Sequence, residues 1–234
     1  MSKQKVQSHT TEDPFRIFKD RKRTNILLIP EQKFIVYLVS RIPSYISPDI
    51  LTLIGGIGSL LILTAFVLAY YFSPVYLLLG IFGLIINWFG DSLDGRIAYY
   101  RNIPRKWYGF SLDIIMDWCS TVMIGLGYLI YAGSDDEIFA FTFVVFYAWS
   151  MIISQLRYKI TDHYTIDSGS VGPTELRVLI AIILALEVMV KNSINVCAFL
   201  MCTALFLINL NDTRKLLKLG DIRDESERKR KNDD

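Results

Sequence analysis

Six mostly apolar runs decide what this 234-residue chain can fold into, because each approaches the roughly 20 residues that a helix needs to cross a bilayer. They cover residues 50–71, 75–99, 109–132, 137–158, 174–190 and 193–210. Ser73-Pro74, the stretch from Asn102 to Lys106, Gly133 to Asp136, Thr161 to Gly172, and Lys191-Asn192 separate them as turn or loop signals. The expected fold is an all-α integral membrane protein with six transmembrane helices. An apolar share of 52% and a mean hydropathy of +0.35 exclude an ordinary soluble domain.

Charge gives the expected orientation. Nine Lys and Arg precede the first span, four lie from Arg96 to Lys106, three from Arg157 to Arg177, and eight from Arg214 to Lys231. All fall on one side of a six-span layout, which leaves only Lys191 for the other. Cytoplasmic loops of membrane proteins carry such an excess, so both termini are expected in the cytoplasm. The first 25 residues hold seven basic groups and no apolar core, so no cleavable signal is expected there. Residues 1–30 are a polar, basic N-terminal tail, and 31–43 predict an amphipathic helix lying in the interface, ended by Pro43. Ser47-Pro48-Asp49 opens the first span with a capping hydroxyl, a first-turn proline and an acid near the positive helix end. Residues 44–212 form the six-helix domain, and 213–234 are a charged cytoplasmic tail whose last fourteen residues read as disordered. A net charge of +2 gives no sign of a nucleic-acid partner. Cys119, Cys197 and Cys202 form neither a CxxC pair nor a zinc set.

Four acids stand where a membrane helix should have none. A carboxylate at the centre of a helix costs roughly 2.5 to 3.5 kcal/mol on insertion scales. Asp91, Asp94, Gly95 and Ala98 share one helical stripe of the second span, and Gly109, Asp113 and Asp117 share one of the third. With residues 100–108 as the connection, Asp91 lies nine residues before it and Asp117 nine after it. Antiparallel neighbours would bring these acids to matching levels, the deepest about 13 Å beyond the helix ends. Four ionised carboxylates converging in a low dielectric repel one another, and two divalent ions would balance them. Oxygen-only ligands favour Mg²⁺ or Mn²⁺ over zinc and are compatible with calcium. The blander alternative is a buried ionic network with Arg96, Arg101, Arg105 and Lys106. It does not account for Gly95 and Ala98 on the acidic stripe, where they mark the close approach of something bulky.

The string Asp91-Ser-Leu-Asp94-Gly95-Arg-Ile-Ala98, followed by Gly109-x3-Asp113-x3-Asp117, resembles the signature of the CDP-alcohol phosphotransferase (CDP-alcohol phosphatidyltransferase) family. Ser47-Pro48-Asp49-Ile50-Leu51-Thr52 is similar to that family's first-span opening, usually with Asn where Asp49 stands. The resemblance covers roughly residues 43–210 and departs at Tyr99, where the family has arginine; the next arginine is Arg101. It implies transfer of a phosphatidyl group, or another alcohol-phosphate unit, from a CDP-linked lipid to an alcohol, with release of CMP, in phospholipid biosynthesis. It also implies that Asp91, Asp94, Asp113 and Asp117 hold metal, with Mg²⁺ or Mn²⁺ expected as two ions. Asp117 would in addition be the base for the acceptor hydroxyl. Gly95, Ala98, Gly109 and Arg101 are the nucleotide-side candidates, with Arg101 or Arg96 standing in for the missing arginine. The lipid tails of the donor would stay among membrane lipids, with the active site facing the cytoplasm, and a homodimer is expected.

The acceptor is read from basic residues alone. Arg157 closes the fourth span and Arg177 follows Gly172-Pro173-Thr174-Glu175-Leu176 at the start of the fifth. Guanidinium matches phosphate geometry, so this pair would suit a phosphorylated alcohol; positive-inside anchoring is the plainer reading of both. A small unphosphorylated alcohol stays open. Two rivals come from other classes. One is a divalent-cation or proton-coupled transporter, for which Glu187 would be the continuation of the acidic path, and the other is a metal-dependent CDP-lipid hydrolase.

Overall fold

The computed structural model describes residues 27–133, 137–161 and 172–233. The basic tail before residue 27, the loop acids Asp135 and Asp136, and the loop carrying His163 and Tyr164 lie outside them. The described residues form seven α-helices and no strand. In chain order these are α1 (Leu28–Val39), α2 (Pro48–Tyr71), α3 (Leu77–Tyr100, led by a 3-10 turn at Pro74–Tyr76), α4 (Lys106–Ala132), α5 (Glu137–Thr161), α6 (Pro173–Met189) and α7 (Ser193–Asp233). The protein is an all-α, multi-pass membrane protein. Five helices rather than six, namely α2, α3, α4, α5 and α7, have the length and apolarity to cross a bilayer. Pro173 opens α6 and Val190, in extended backbone, closes it, which leaves 17 residues, about 26 Å at the α-helical rise.

Local chemistry sets these boundaries. Ser47 caps α2 by accepting the Ile50 N–H at 3.2 Å, with Pro48 in the first turn. Helix α1 stops at Val39, short of Pro43, because the Ser40 hydroxyl donates to the Tyr37 carbonyl and the backbone tightens there. Its Ile35 and Val39 are buried with Leu51, Leu93 and Ile97, while Phe34 and Tyr37 stay exposed. The buried Glu31 accepts from the Trp88 indole at 3.2 Å and the Thr174 hydroxyl at 2.7 Å, tying α1 to α3 and α6. Helix α7 does not end with its apolar part. The charged residues expected to be disordered continue as helix to Asp233, since Leu, Lys, Arg and Glu are strong helix formers and no proline intervenes. Arg223 pairs with Glu227 one turn on at 3.0 Å and donates to the carbonyls of Lys159 and Ile160, covering the open end of α5.

Helix α2 is the centre of the bundle and packs on both α3 and α4. A Cβ on Gly58 would lie 2.4 Å from the Asn87 nitrogen, and one on Gly90 would lie 2.3 Å from the Gly55 nitrogen. Only glycine lets the two backbones approach this closely. Against α4, Phe66 packs over Gly127, 2.6 Å from where a Cβ there would stand. The apolar core runs through Ile62, Phe66, Leu77, Leu84, Tyr128, Ala140 and Leu184. At the end away from the acids, the buried Glu187 of α6 accepts from Tyr131 at 2.8 Å and from the N–H groups of Asn192 and Ile194 at 3.0 and 2.8 Å. It also accepts from the Ser193 hydroxyl at 3.2 Å. That carboxylate is the cap of α7.

Candidate active site and metal centre

Helices α3 and α4 bring their acids together across a space beside α2. Carboxylate oxygens of Asp91, Asp113 and Asp117 all lie within 4.8 Å of one another. Asp94 does not join that trio; its Oδ2 accepts from the Thr52 hydroxyl of α2 at 2.6 Å and its Oδ1 from the Gly95 N–H. It still faces the same space, because Asp91, Asp94 and Asp113 line one small cavity with Thr52, Asn87 and Ser120. Expecting all four acids at one point is thus corrected to three plus one. The physical reason is the helical stripe itself, on which Asp94 is a turn closer to the open end than Asp91 and within reach of Thr52.

An arginine does enter the acidic centre, and it comes from α6 rather than from the connection. Arg177 donates through Nη2 to Asp91 at 2.7 Å and through Nε to the Asn87 carbonyl oxygen at 2.8 Å, with Asp117 at 3.8 Å. Asn87 in turn donates to Ser59 at 2.9 Å and to the Gly55 carbonyl at 3.2 Å. Ser59 and Ser120 are 2.7 Å apart. This polar layer fixes the floor of the site by satisfied hydrogen bonds. The guanidinium of Arg177 pairs with Asp91 and approaches Asp117, and the all-oxygen donor set of Asp91, Asp113 and Asp117 fits a hard divalent cation.

Toward the helix ends the space widens into a cavity of about 210 Å³ lined by Thr52, Asp94, Gly95, Ala98, Gly109 and Asp113, among others. A Cβ on Gly95 or Gly109 would meet no protein atom within 4 Å. Protein packing therefore does not require glycine at either position; what their missing side chains leave is room in the cavity.

Two basic candidates stand elsewhere. Arg101 donates to the carbonyls of Pro43 at 2.8 Å, Ile42 at 3.4 Å and Ile46, binding the end of α3 to the α1–α2 linker. Its guanidinium is engaged by backbone and does not line the cavity, so the structure does not bring Arg101 together with the other nucleotide-side candidates Gly95, Ala98 and Gly109. Arg101 is the C-cap of α3, one residue past its last turn at Tyr100. Arg157 lies 3.6 Å from Asp212 of α7, away from the Arg177 contacts. Glu175 serves the backbone, accepting the N–H groups of Gly172 and Leu27 at 3.0 and 2.9 Å.

Sequence reasoning missed Thr52, Ser59, Asn87 and Ser120. Asn87 lies one turn before Asp91 on the acidic stripe and Ser120 one turn after Asp117, so extending the stripes by one turn would have found those two.

Compared with protein families, residues 45–209 match CDP-alcohol phosphatidyltransferase. The chain belongs to the CDP-alcohol phosphatidyltransferase family. Comparison with curated proteins gave no match. As a CDP-alcohol phosphatidyltransferase, it carries out the family's phosphatidyl transfer in phospholipid synthesis. The match runs from the linker before α2 into α7 and takes in every acid of the centre, leaving α1 and the charged part of α7 outside.

Proposed function

We propose that this membrane transferase moves a phosphatidyl group from a CDP-linked lipid, such as CDP-diacylglycerol, to a small alcohol or phosphorylated alcohol and releases CMP. The observation that carries this reading is the meeting of Asp91, Asp113 and Asp117 oxygens within 4.8 Å beside a cavity that also holds Asp94, Gly95 and Gly109. Asp91, Asp94, Asp113 and Asp117 would hold Mg²⁺ or Mn²⁺, in two ions. When bound, such ions neutralise diphosphate oxygens and the charge that builds on the leaving group.

The residues of the chain do the remainder. Asp117 accepts the proton of the acceptor hydroxyl as its oxygen bonds to the lipid-bearing phosphorus; the bond from that phosphorus to the CMP oxygen breaks, and CMP leaves. Gly95, Ala98 and Gly109 give the nucleotide a surface without side-chain obstruction. Arg177, on the floor beside Asp117, is the acceptor-side cation, and a phosphate on the acceptor would draw its guanidinium fork. Arg157 joins it only if its pairing with Asp212 opens. The working orientation has both termini and the cavity facing the cytoplasm, donor tails among membrane lipids, and two copies in a homodimer.

Glu187 weighs against a transport pathway. Four donors fix it as the α7 cap, so it offers no onward site for an ion leaving the acids. The test is release of labelled CMP from CDP-diacylglycerol across inositol, serine, choline, inositol phosphate and glycerol 3-phosphate, with and without chelator. Turnover should need both an acceptor and Mg²⁺ or Mn²⁺. Asp117→Asn should lower it by about 10² to 10⁴-fold, the usual contribution of a positioned base. Full turnover by that variant would remove the base, and CMP release with water alone would make the protein a hydrolase.

A further inference from the structure

The mouth of the cavity carries an ion pair that the reading above does not use. Asp49, in the first turn of α2, and Arg105, just before α4, form a salt bridge across it, and both line the cavity. They are half-exposed, at 49% and 51%. The Arg105 guanidinium lies 4.1 Å from the centre of the Tyr108 ring, and Lys106 stands beside it on the rim. The two ends are not equally free. The linker before Asp49 is pinned by Arg101 through the Ile46 and Pro43 carbonyls, and the Ser47 cap starts α2 immediately before it. Arg105 belongs to a short stretch between helices; it rests on the Tyr108 ring in the first turn of α4 and meets one carboxylate across the mouth.

This arrangement separates charge along the cavity. The floor is acidic, with Asp94 and Asp113, and the rim is basic, with Arg105 and Lys106. With the divalent cations proposed above held on the floor, a ligand that bridges floor and rim is anionic, with enough oxygens to meet those cations and a guanidinium at the rim. A diphosphate meets both demands. A carboxylate offers a guanidinium the same paired oxygens as a phosphate does, with less charge, so Asp49 occupies Arg105 as a weaker version of that ligand. Ion pairs this open to water are weak and easily exchanged.

We propose that Arg105, standing over Tyr108 at the cavity mouth, receives the diphosphate of the CDP-linked donor, and that Asp49 holds it there until the diphosphate displaces the carboxylate. Arg105 is a donor-binding residue and Asp49 a positioning residue that acts through it. The assignment rests on the donor class proposed above.

The test is equilibrium binding of CDP to the full chain in lipid nanodiscs with Mg²⁺, by calorimetry, for the wild type, Arg105→Ala, Arg105→Lys, Asp49→Asn and Asp49→Asn with Arg105→Ala. Loss of one charge-assisted fork should weaken CDP binding about tenfold in Arg105→Ala and raise the donor KM more than it lowers kcat. Asp49→Asn removes the competitor and should tighten binding about threefold, but only where Arg105 is present, a coupling that a purely structural role would not produce. Should Arg105→Ala fail to fold, Arg105→Lys carries the test, because it keeps the charge and loses the fork, and it should bind CDP more weakly than the wild type. CDP binding that neither Arg105 variant weakens, or an Asp49→Asn effect that persists without Arg105, would overturn the assignment while leaving the function intact. A wild-type chain that binds no CDP would overturn both.

Discussion

Arg177 joins parts of the site that three helices supply. Its guanidinium touches Asn87 and Asp91 of α3 and approaches Asp117 of α4. Removing it leaves Asp91 without its guanidinium partner and the Asn87 oxygen without its donor, both largely shielded from water. Arg177→Ala should therefore cost about 3 kcal/mol of stability, in the range for breaking a buried charge pair, and Arg177→Lys should recover part of the melting temperature without recovering the fork. An acceptor KM for a phosphorylated alcohol that stays unchanged in Arg177→Lys would show that the residue serves only the fold. At this scale the acids were readable from sequence because a carboxylate in an apolar helix is costly enough to imply a cation or a partner beside it. Thr52 and Ser59 were not, since a lone hydroxyl in such a helix can equally satisfy itself on the carbonyl four residues back, as Ser59 also does with Gly55.

Among the elements, α2 and α3 form the tightest pair. Gly90→Val would drive a branched side chain into the Gly55 backbone, which cannot move aside. Overpacking of this kind costs about 1 to 3 kcal/mol or more, so the variant should melt well below the wild type in detergent and lose activity in proportion to unfolding. Gly95→Ala is its control: the added methyl meets no protein atom within 4 Å, and alanine suits a helix interior better than glycine, so its melting temperature should equal or exceed that of the wild type, and any loss should appear in donor binding. Helix starts were legible because Ser47-Pro48 and Gly172-Pro173 carry their chemistry locally. The end of α7 was not. Composition alone reads Asp221 to Asp234 as unable to bury anything, whereas Arg223 gains its support from α5, more than sixty residues earlier in the chain.

For the whole molecule, the side on which each terminus lies depends on α6. Its 17 residues fall short of a full span, yet Arg177 near its start meets the acids while Glu187 near its end meets Tyr131 at the opposite end of α4. A helix that runs that distance while packed on α3 should cross with it, aided by local thinning or by snorkelling at its ends. Reporter fusions at the two termini should then both report the cytoplasm, as the charge distribution requires; reporters on opposite sides would leave five crossings and place α6 within the bundle. The pattern of apolar runs revealed the number of segments but not which of them fell short, because their bounds are set by caps and not by hydropathy. The close seating of Gly58 and Gly90 has one more effect. With backbone resting on backbone, α2 and α3 form one anvil, so Thr52, Asp91 and Asp94 keep their mutual heights and whatever enters the cavity meets them as a preset template.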